Sequence, residues 1–156
     1  MTTVKIEGAD KLLKLLQELP KELTQNKRGG VAAKSLRKGA NVILKEERRT
    51  LARAIQINGD DSTGLLLKNL KVRRKKYDGK GEHMTIGVGN KRYPDTPGRK
   101  DRTTRLNGQR LEYGTSQQKA TPWVRPAFEA KAEEAIQTTV QSLSNDLDHL
   151  ARKHLK

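Results

Sequence analysis

The segment from Leu111 to Ala130, LEYGTSQQKATPWVRPAFEA, differs sharply from the rest of the chain. It contains the only tryptophan, Trp123, and the only phenylalanine, Phe128, close to two prolines and a glycine. Gly114 allows a turn with positive φ after a short strand, RLEYGT. Thr121, followed directly by proline, has the features of a helix N-terminus. We therefore predict a stiff strand–loop–helix junction, in which Trp123 and Phe128 pack the start of the last helix against a sheet.

A long C-terminal helix is predicted after this junction. Its apolar residues recur at alternating steps of four and three, the spacing of a helix–helix seam; they are Ile136, Val140, Leu143, Leu147 and Leu150. Before the junction, residues 90–110 are rich in Gly, Pro, Lys, Arg and Thr and almost free of apolar residues. We predict a long basic loop or arm there, because such a segment is usually functional or disordered.

A β-hairpin is predicted upstream of this loop. In LLLKNLKVRRKKY, residues 65–77, apolar and basic residues alternate, and MTIGVG, residues 84–89, follows after the turn sequence DGKG. The alternation places Leu66, Lys68, Leu70 and Val72 on one side, and it places the basic residues Lys71, Arg73 and Lys75 on the other. Basic residues therefore crowd the end of the first strand.

The N-terminal part of the chain predicts one strand and two helical stretches. VKIEG, residues 4–8, alternates like a strand, and KLLKLLQEL, residues 11–19, has a helical apolar face. A longer helix is predicted over residues 31–55, where Ala33 and Ala40, next to Gly39, would allow another helix to approach closely. Together these elements predict an α+β fold: a small antiparallel β-sheet packed with N-terminal helices and a long C-terminal helix, in one domain spanning 1–156.

The composition predicts a thin core and a charged partner. Of 156 residues, 33% are hydrophobic and 3% aromatic, so the core must consist mainly of small aliphatic side chains, and partner subunits are expected to support it. The 33 Lys and Arg residues exceed the 18 acids and give a net charge of +15. Such a balance favours a nucleic acid or an acidic protein surface as partner, although a merely soluble basic surface would have the same composition. The absence of cysteine excludes disulfides and thiolate metal sites.

The sequence does not predict an enzyme, a cofactor or a metal site. The three histidines, His83, His149 and His154, are dispersed, and no phosphate-binding loop or nucleophile elbow is present. GVGN, residues 87–90, lacks the third glycine of a dinucleotide-binding turn and is better explained as a strand that passes close to another backbone.

Two basic clusters remain as candidate contact sites. The first comprises Arg73, Arg74, Lys75 and Lys76, and the second, within the predicted arm, comprises Arg99, Lys100, Arg102 and Arg105. Either could contact DNA phosphates or an acidic neighbouring protein, and the alternative for both is a solvated surface. Stacking on bases is disfavoured, because tyrosines are the only aromatic residues near the clusters.

The segment EYGT, the polar loop after it and ATPWVRPAFEA resemble the signature of the head–tail joining proteins of long-tailed bacteriophages, the small neck or tail-completion proteins. In that family an E-[FY]-G-T turn precedes [AT]-x-P-[FW]-hydrophobic-x-P-A-F. The matching positions are Glu112, Tyr113, Gly114, Thr115, Pro122, Trp123, Val124, Pro126, Ala127 and Phe128. The step Thr63-Gly64-Leu65 before a basic strand is similar as well, although the Ala-Pro usual before it is replaced by INGDDS.

The resemblance implies a structural virion protein that forms a ring at the head–tail junction. Its implied partners are copies of itself, the connector or head-closure protein, tail proteins and packaged DNA, with no membrane. The implied location is the virion, after assembly in the cytoplasm of the host bacterium. The residues implied at subunit or partner interfaces are Thr63, Gly64, Glu112, Tyr113, Gly114, Thr115, Trp123, Arg125 and Phe128. The alternative function is that of a basic nucleic-acid-binding protein, which the net charge alone favours.

Overall fold

In the part of the chain that the structure describes, the fold consists of two long helices, two short ones and a two-stranded antiparallel sheet. A computed structural model describes residues 30–58, 63–77, 81–94 and 102–154. Its elements are, in chain order, helix α1 (Gly30–Asn58), helix α2 (Leu65–Asn69), strands β1 (Leu70–Tyr77) and β2 (Gly81–Val88), helix α3 (Thr104–Tyr113) and helix α4 (Val124–His154). The predicted α+β class is confirmed. The strand predicted at 4–8 and the helix predicted at 11–19 lie outside the described residues.

The long helices α1 and α4 pack against each other in antiparallel orientation. Near the start of α1, the Ser35 hydroxyl lies 3.3 Å from that of Ser142, towards the end of α4. Near the other end of α1, the Thr50 hydroxyl donates to the carbonyl oxygen of Trp123, just before α4 begins, at 2.7 Å. The helix predicted for 31–55 is thus confirmed, and it forms one side of the main interface in the structure.

Small side chains fill this helix–helix interface. A Cβ atom added at Gly39 would overlap the Thr139 hydroxyl and lie 2.5 Å from the Ala135 carbonyl oxygen. The helices therefore approach closely at Gly39 itself, next to Ala40, one of the two alanines predicted to allow the approach. The predicted apolar seam of α4 is only partly correct, because Leu143 is buried but Val140 is 44% exposed. The buried positions of the two helices include Ala32, Ala33, Ser35 and Gly39 of α1 and Ala127, Ala135 and Ser142 of α4.

The contact at Gly39 gives a stability prediction with a matched control. Alanine is the better helix former by about 1 kcal/mol, yet Gly39→Ala is expected to destabilise the fold by roughly 1–3 kcal/mol, since a backbone oxygen blocks the new methyl group. At Gly108 of α3 the same methyl would meet its neighbours at 3.4 Å or more, an ordinary contact, so Gly108→Ala is expected to be neutral or stabilising. Urea unfolding of both variants measures the difference, and equal effects would contradict the packing described.

The hairpin presents one face to the helices and the other to solvent. Its register pairs Leu70 with Val88 and Val72 with Ile86, and these four side chains contact the hydrophobic core. Residues 65–69, predicted as strand, form the single helical turn α2, so Lys68 does not share a face with Leu66 as predicted. Leu66 in α2 and Leu70, the first residue of β1, are both completely buried.

The segment 104–113 is helical, which corrects two predictions. RLEYGT was expected to be a strand, and 90–110 was expected to be loop throughout, but α3 covers Thr104–Tyr113. Thr103 caps this helix by accepting from the Leu106 amide at 3.3 Å. Its buried residues are Thr104, Gly108 and Leu111, and two of these are not hydrophobic. An apolar pattern in the sequence therefore could not reveal this helical face.

Backbone hydrogen bonds join the residues just before and just after the remaining part of the predicted arm. The Tyr93 amide donates to the carbonyl oxygen of Arg102 at 3.2 Å, and the Thr104 amide donates to that of Lys91 at 2.8 Å. The buried Thr104 hydroxyl also donates to the carbonyl oxygen of Gly89. Residues 95–101 therefore connect two paired ends, and they lie outside the described residues.

Candidate assembly junction

The loop between α3 and α4 starts at a glycine that no other residue can replace without strain. Gly114 ends α3 with φ of 75°, and its amide donates to the Arg110 carbonyl oxygen at 2.8 Å. A Cβ atom at this position would lie 2.8 Å from the Ala120 nitrogen and 2.9 Å from the Gln118 oxygen. The predicted positive-φ turn is confirmed, although it follows a helix rather than a strand.

The carboxylate of Glu112 caps the N-terminus of α4. Its Oε2 accepts from the amides of Trp123 at 2.6 Å and Val124 at 2.9 Å, and its Oε1 accepts from the amide of Arg125 at 3.4 Å. These amides have no partner within the helix, and a negative charge is favourable at this end of the helix dipole. The prediction that Thr121 caps the helix is wrong, because α4 begins at Val124 and its cap comes from α3.

Trp123 joins the junction to the hydrophobic core, whereas Phe128 does not. The indole of Trp123 is 4% exposed, and its Nε1 donates to the Gly108 carbonyl oxygen at 3.0 Å. Trp123 and Leu66 belong to the same hydrophobic core, and Val88 packs against it. All three side chains lie close to Gly108. The prediction that Phe128 also packs against the sheet is wrong, because its side chain is 47% exposed on α4.

The polar loop is bound to the end of α1. The Asn58 side chain donates to the Lys119 carbonyl oxygen at 2.8 Å, and the Gln118 side chain donates to the Asn58 carbonyl oxygen at 2.6 Å. The Thr121 amide donates to the Leu111 carbonyl oxygen at 2.7 Å, which ties the loop back to α3. The junction, defined here as residues 112–125 with Asn58 and Thr50, thus connects α1, α3 and α4.

A buried glutamate lies beneath the junction. Glu47 of α1 is 4% exposed. Burial, and secondarily the negative charge of Glu112, raise the pKa of Glu47 to about 7. A charge on Glu47 would therefore be unfavourable beside the carboxylate that caps α4. Protonation of Glu47 is expected to stabilise this region.

The remaining predicted interface residues occupy different places. Thr63 and Gly64 precede α2, where Thr63 accepts from the Leu65 amide at 3.3 Å and Gly64 has φ of 63°. Thr115 lies within the junction loop, and its amide donates to the Gln118 carbonyl oxygen at 2.8 Å. Tyr113 is 79% exposed at the end of α3, and Arg125 is exposed at the start of α4.

The structure places the residues of the two predicted basic clusters in different environments. Arg73 and Lys75 are exposed on the outer face of the hairpin, but Arg74 lies on the inner face, with its guanidinium 2.5 Å from Glu82. That bond raises the pKa of Arg74. Arg102 and Arg105 are exposed at the start of α3. The side chain of Lys76 lies outside the described part of the chain, as do Arg99 and Lys100.

Sequence reasoning missed the partners of the junction. Glu47, Thr50 and Asn58 act on residues more than 60 positions away, and no local pattern reveals such contacts. Glu47 alone carried a signal, because it lies three residues after Leu44 and four before Leu51. That spacing places an acid on the buried face of a helix.

Comparison of the chain with protein-family models, with curated proteins and with solved structures gives no match. Within the described ranges, no three His, Cys, Asp or Glu side chains are grouped so that they could hold a metal ion. The same residues contain no helix that is long and apolar enough to cross a membrane.

Proposed function

We propose that the protein is a structural assembly protein that joins the head of a long-tailed bacteriophage to its tail. It acts as a ring of identical subunits at the head–tail junction. The observation that carries this proposal is that most of the residues resembling the family signature form one continuous structural unit. Glu112 caps α4, Gly114 makes the turn and Trp123 enters the core.

Large apolar side chains are exposed beside this unit. Tyr113 is 79% exposed where α3 ends, and Phe128 is 47% exposed on the second turn of α4. Ile57, 72% exposed, is adjacent to Asn58, which binds the junction loop. Exposed aromatic residues on a rigid support are typical of protein interfaces. We assign these three side chains to the contact between neighbouring copies of the chain.

A ring requires that each copy meets the next at a fixed angle. Contacts between two different patches close into a ring when their rotation allows it, and otherwise give filaments. The hydrogen bonds that bind the junction to α1, α3 and α4 fix the direction of the long helices relative to the exposed aromatic residues. The connector or head-closure protein and the tail are the expected partners above and below the ring, and the coding sequence is expected to lie among capsid, connector and tail genes.

The state of association of the purified protein tests the proposal. Light scattering and electron microscopy are expected to show rings or higher oligomers. Phe128→Asp is expected to shift the population to monomers without unfolding the chain. Val140→Asp, at a residue with similar exposure on the same helix, is the control and is expected to leave association unchanged. A monomer at all concentrations, or equal effects of both variants, would contradict the proposed contact.

A further inference from the structure

The outer face of the hairpin is a cationic surface. On β1, the side chains of Lys71, Arg73 and Lys75 are exposed, while those of the residues between them are partly covered. The register places these cations opposite small or polar residues of β2, in the pairs Lys71–Gly87, Arg73–Thr85 and Lys75–His83. At about 3.4 Å per residue, alternate side chains lie roughly 7 Å apart along the strand, so each cation can contact a different anionic group.

The charges of the hairpin are separated by face. Glu82 is the only acidic residue within the two strands, and it lies on the inner face, where it binds Arg74 through two hydrogen bonds of 2.7 and 2.5 Å. No acid of either strand therefore neutralises the outer face. This arrangement concentrates positive potential on the side that is open to solvent.

Two glycines, Gly87 and Gly89, leave the outer face without a side chain at their positions. A Cβ atom at Gly87 would meet no atom of the described residues within 4 Å, so packing within the chain does not require glycine there. Glycine weakens a strand interior, and it often marks a place where a ligand or another backbone approaches closely. At Gly89 a Cβ atom would lie 2.5 Å from a guanidinium nitrogen of Arg73, so this glycine leaves room for the Arg73 side chain to lie along the ribbon.

We propose that this outer face binds the phosphate backbone of double-stranded DNA without sequence preference. Three regularly spaced cations provide the phosphate contacts, which hold a protein on DNA without reading its sequence. The exposed side chains described on β1, Lys71, Arg73 and Lys75, offer positive charge rather than a surface on which bases could stack. The site does not depend on the ring proposed above, although it would serve a protein through which DNA passes.

The salt dependence of duplex binding tests this inference. A short duplex of mixed sequence is titrated with the full chain by fluorescence anisotropy at several salt concentrations. The triple variant K71Q/R73Q/K75Q is expected to reduce the slope of log K against log salt by about 2.7, or 0.9 for each lost phosphate contact. The triple variant R37Q/K38Q/K45Q removes the same charge from exposed positions of α1 and is expected to preserve the slope.

A second variant tests whether the affinity depends on close approach of the DNA as well as on charge. Gly87→Val keeps every cation and favours the strand, so its melting temperature is expected to be equal or higher, while its affinity for the duplex falls roughly tenfold, about 1.4 kcal/mol. Equal slope changes in the two triple variants would overturn the inference, as would unchanged affinity in Gly87→Val. Binding of an acidic polypeptide as tightly as the duplex would overturn it in favour of a protein partner. Whether the K71Q/R73Q/K75Q variant still assembles with copies of itself is measured separately, and that result tests only the proposed ring.

Discussion

Trp123→Ala is expected to lower the free energy of unfolding by about 3–5 kcal/mol. The substitution removes a 4% exposed indole from the core and leaves the Gly108 carbonyl oxygen without its 3.0 Å hydrogen bond. Since the Trp123 backbone also binds Thr50 and Glu112, movement of this residue would loosen the contacts of α4 with both α1 and α3.

Val140→Ala is the control. It truncates an apolar side chain of α4 that is 44% exposed and lies outside the proposed contact between copies, and the expected loss is below about 1 kcal/mol. Urea unfolding followed by circular dichroism suits both variants, because it does not depend on tryptophan fluorescence. Similar losses in the two variants would show that the core does not extend through Trp123 in the way described.

Stability is expected to fall as the pH rises through the range in which Glu47 titrates. Its pKa is raised from 4.5 to about 7 in the folded state, so the folded chain binds more protons than the unfolded chain between these values. The contribution of Glu47 is fully favourable below about pH 4.5 and decreases until the pH exceeds 7. The total loss is on the order of 3 kcal/mol, at 1.36 kcal/mol for each pH unit of the shift.

Glu47→Gln isolates this effect from the other carboxylates. Glutamine resembles the protonated acid, so the variant and the wild type are expected to be about equally stable near pH 4, below both pKa values of Glu47. Near pH 8 the variant is expected to be more stable by roughly 3 kcal/mol. Glu112→Gln should lower the pKa of Glu47 only in part, because burial is the larger cause of its shift. Parallel stability curves for wild type and Glu47→Gln between pH 5 and 8 would refute the assignment.

The parts of the fold that follow from local periodicity were predictable. The helix α1, the hairpin and the long α4 all repeat apolar residues at the period of their structure, and each was predicted in its place. The helix α3 was not, because its buried face consists of Thr104, Gly108 and Leu111. Thr104 and Gly108 are close to neutral on a hydropathy scale, and the basic residues around them suggested a loop.

The candidate junction was predictable in position but not in its contacts. The prolines, Gly114 and Trp123 indicated a stiff entry into the last helix, and the structure has one. The cap from Glu112 and the bonds from Thr50 and Asn58 depend on the packing of α1 against α3 and α4, which a single sequence does not encode locally. Phe128 was misassigned because an aromatic residue near a core helix end is usually buried.

Electron microscopy of lysates from bacteria infected with a phage that lacks this coding sequence tests the central claim most directly. If the protein joins head to tail, DNA-filled heads and finished tails accumulate as separate particles, and supplying the wild-type chain restores complete virions. If complete virions form at the normal yield without the protein, it does not join head to tail.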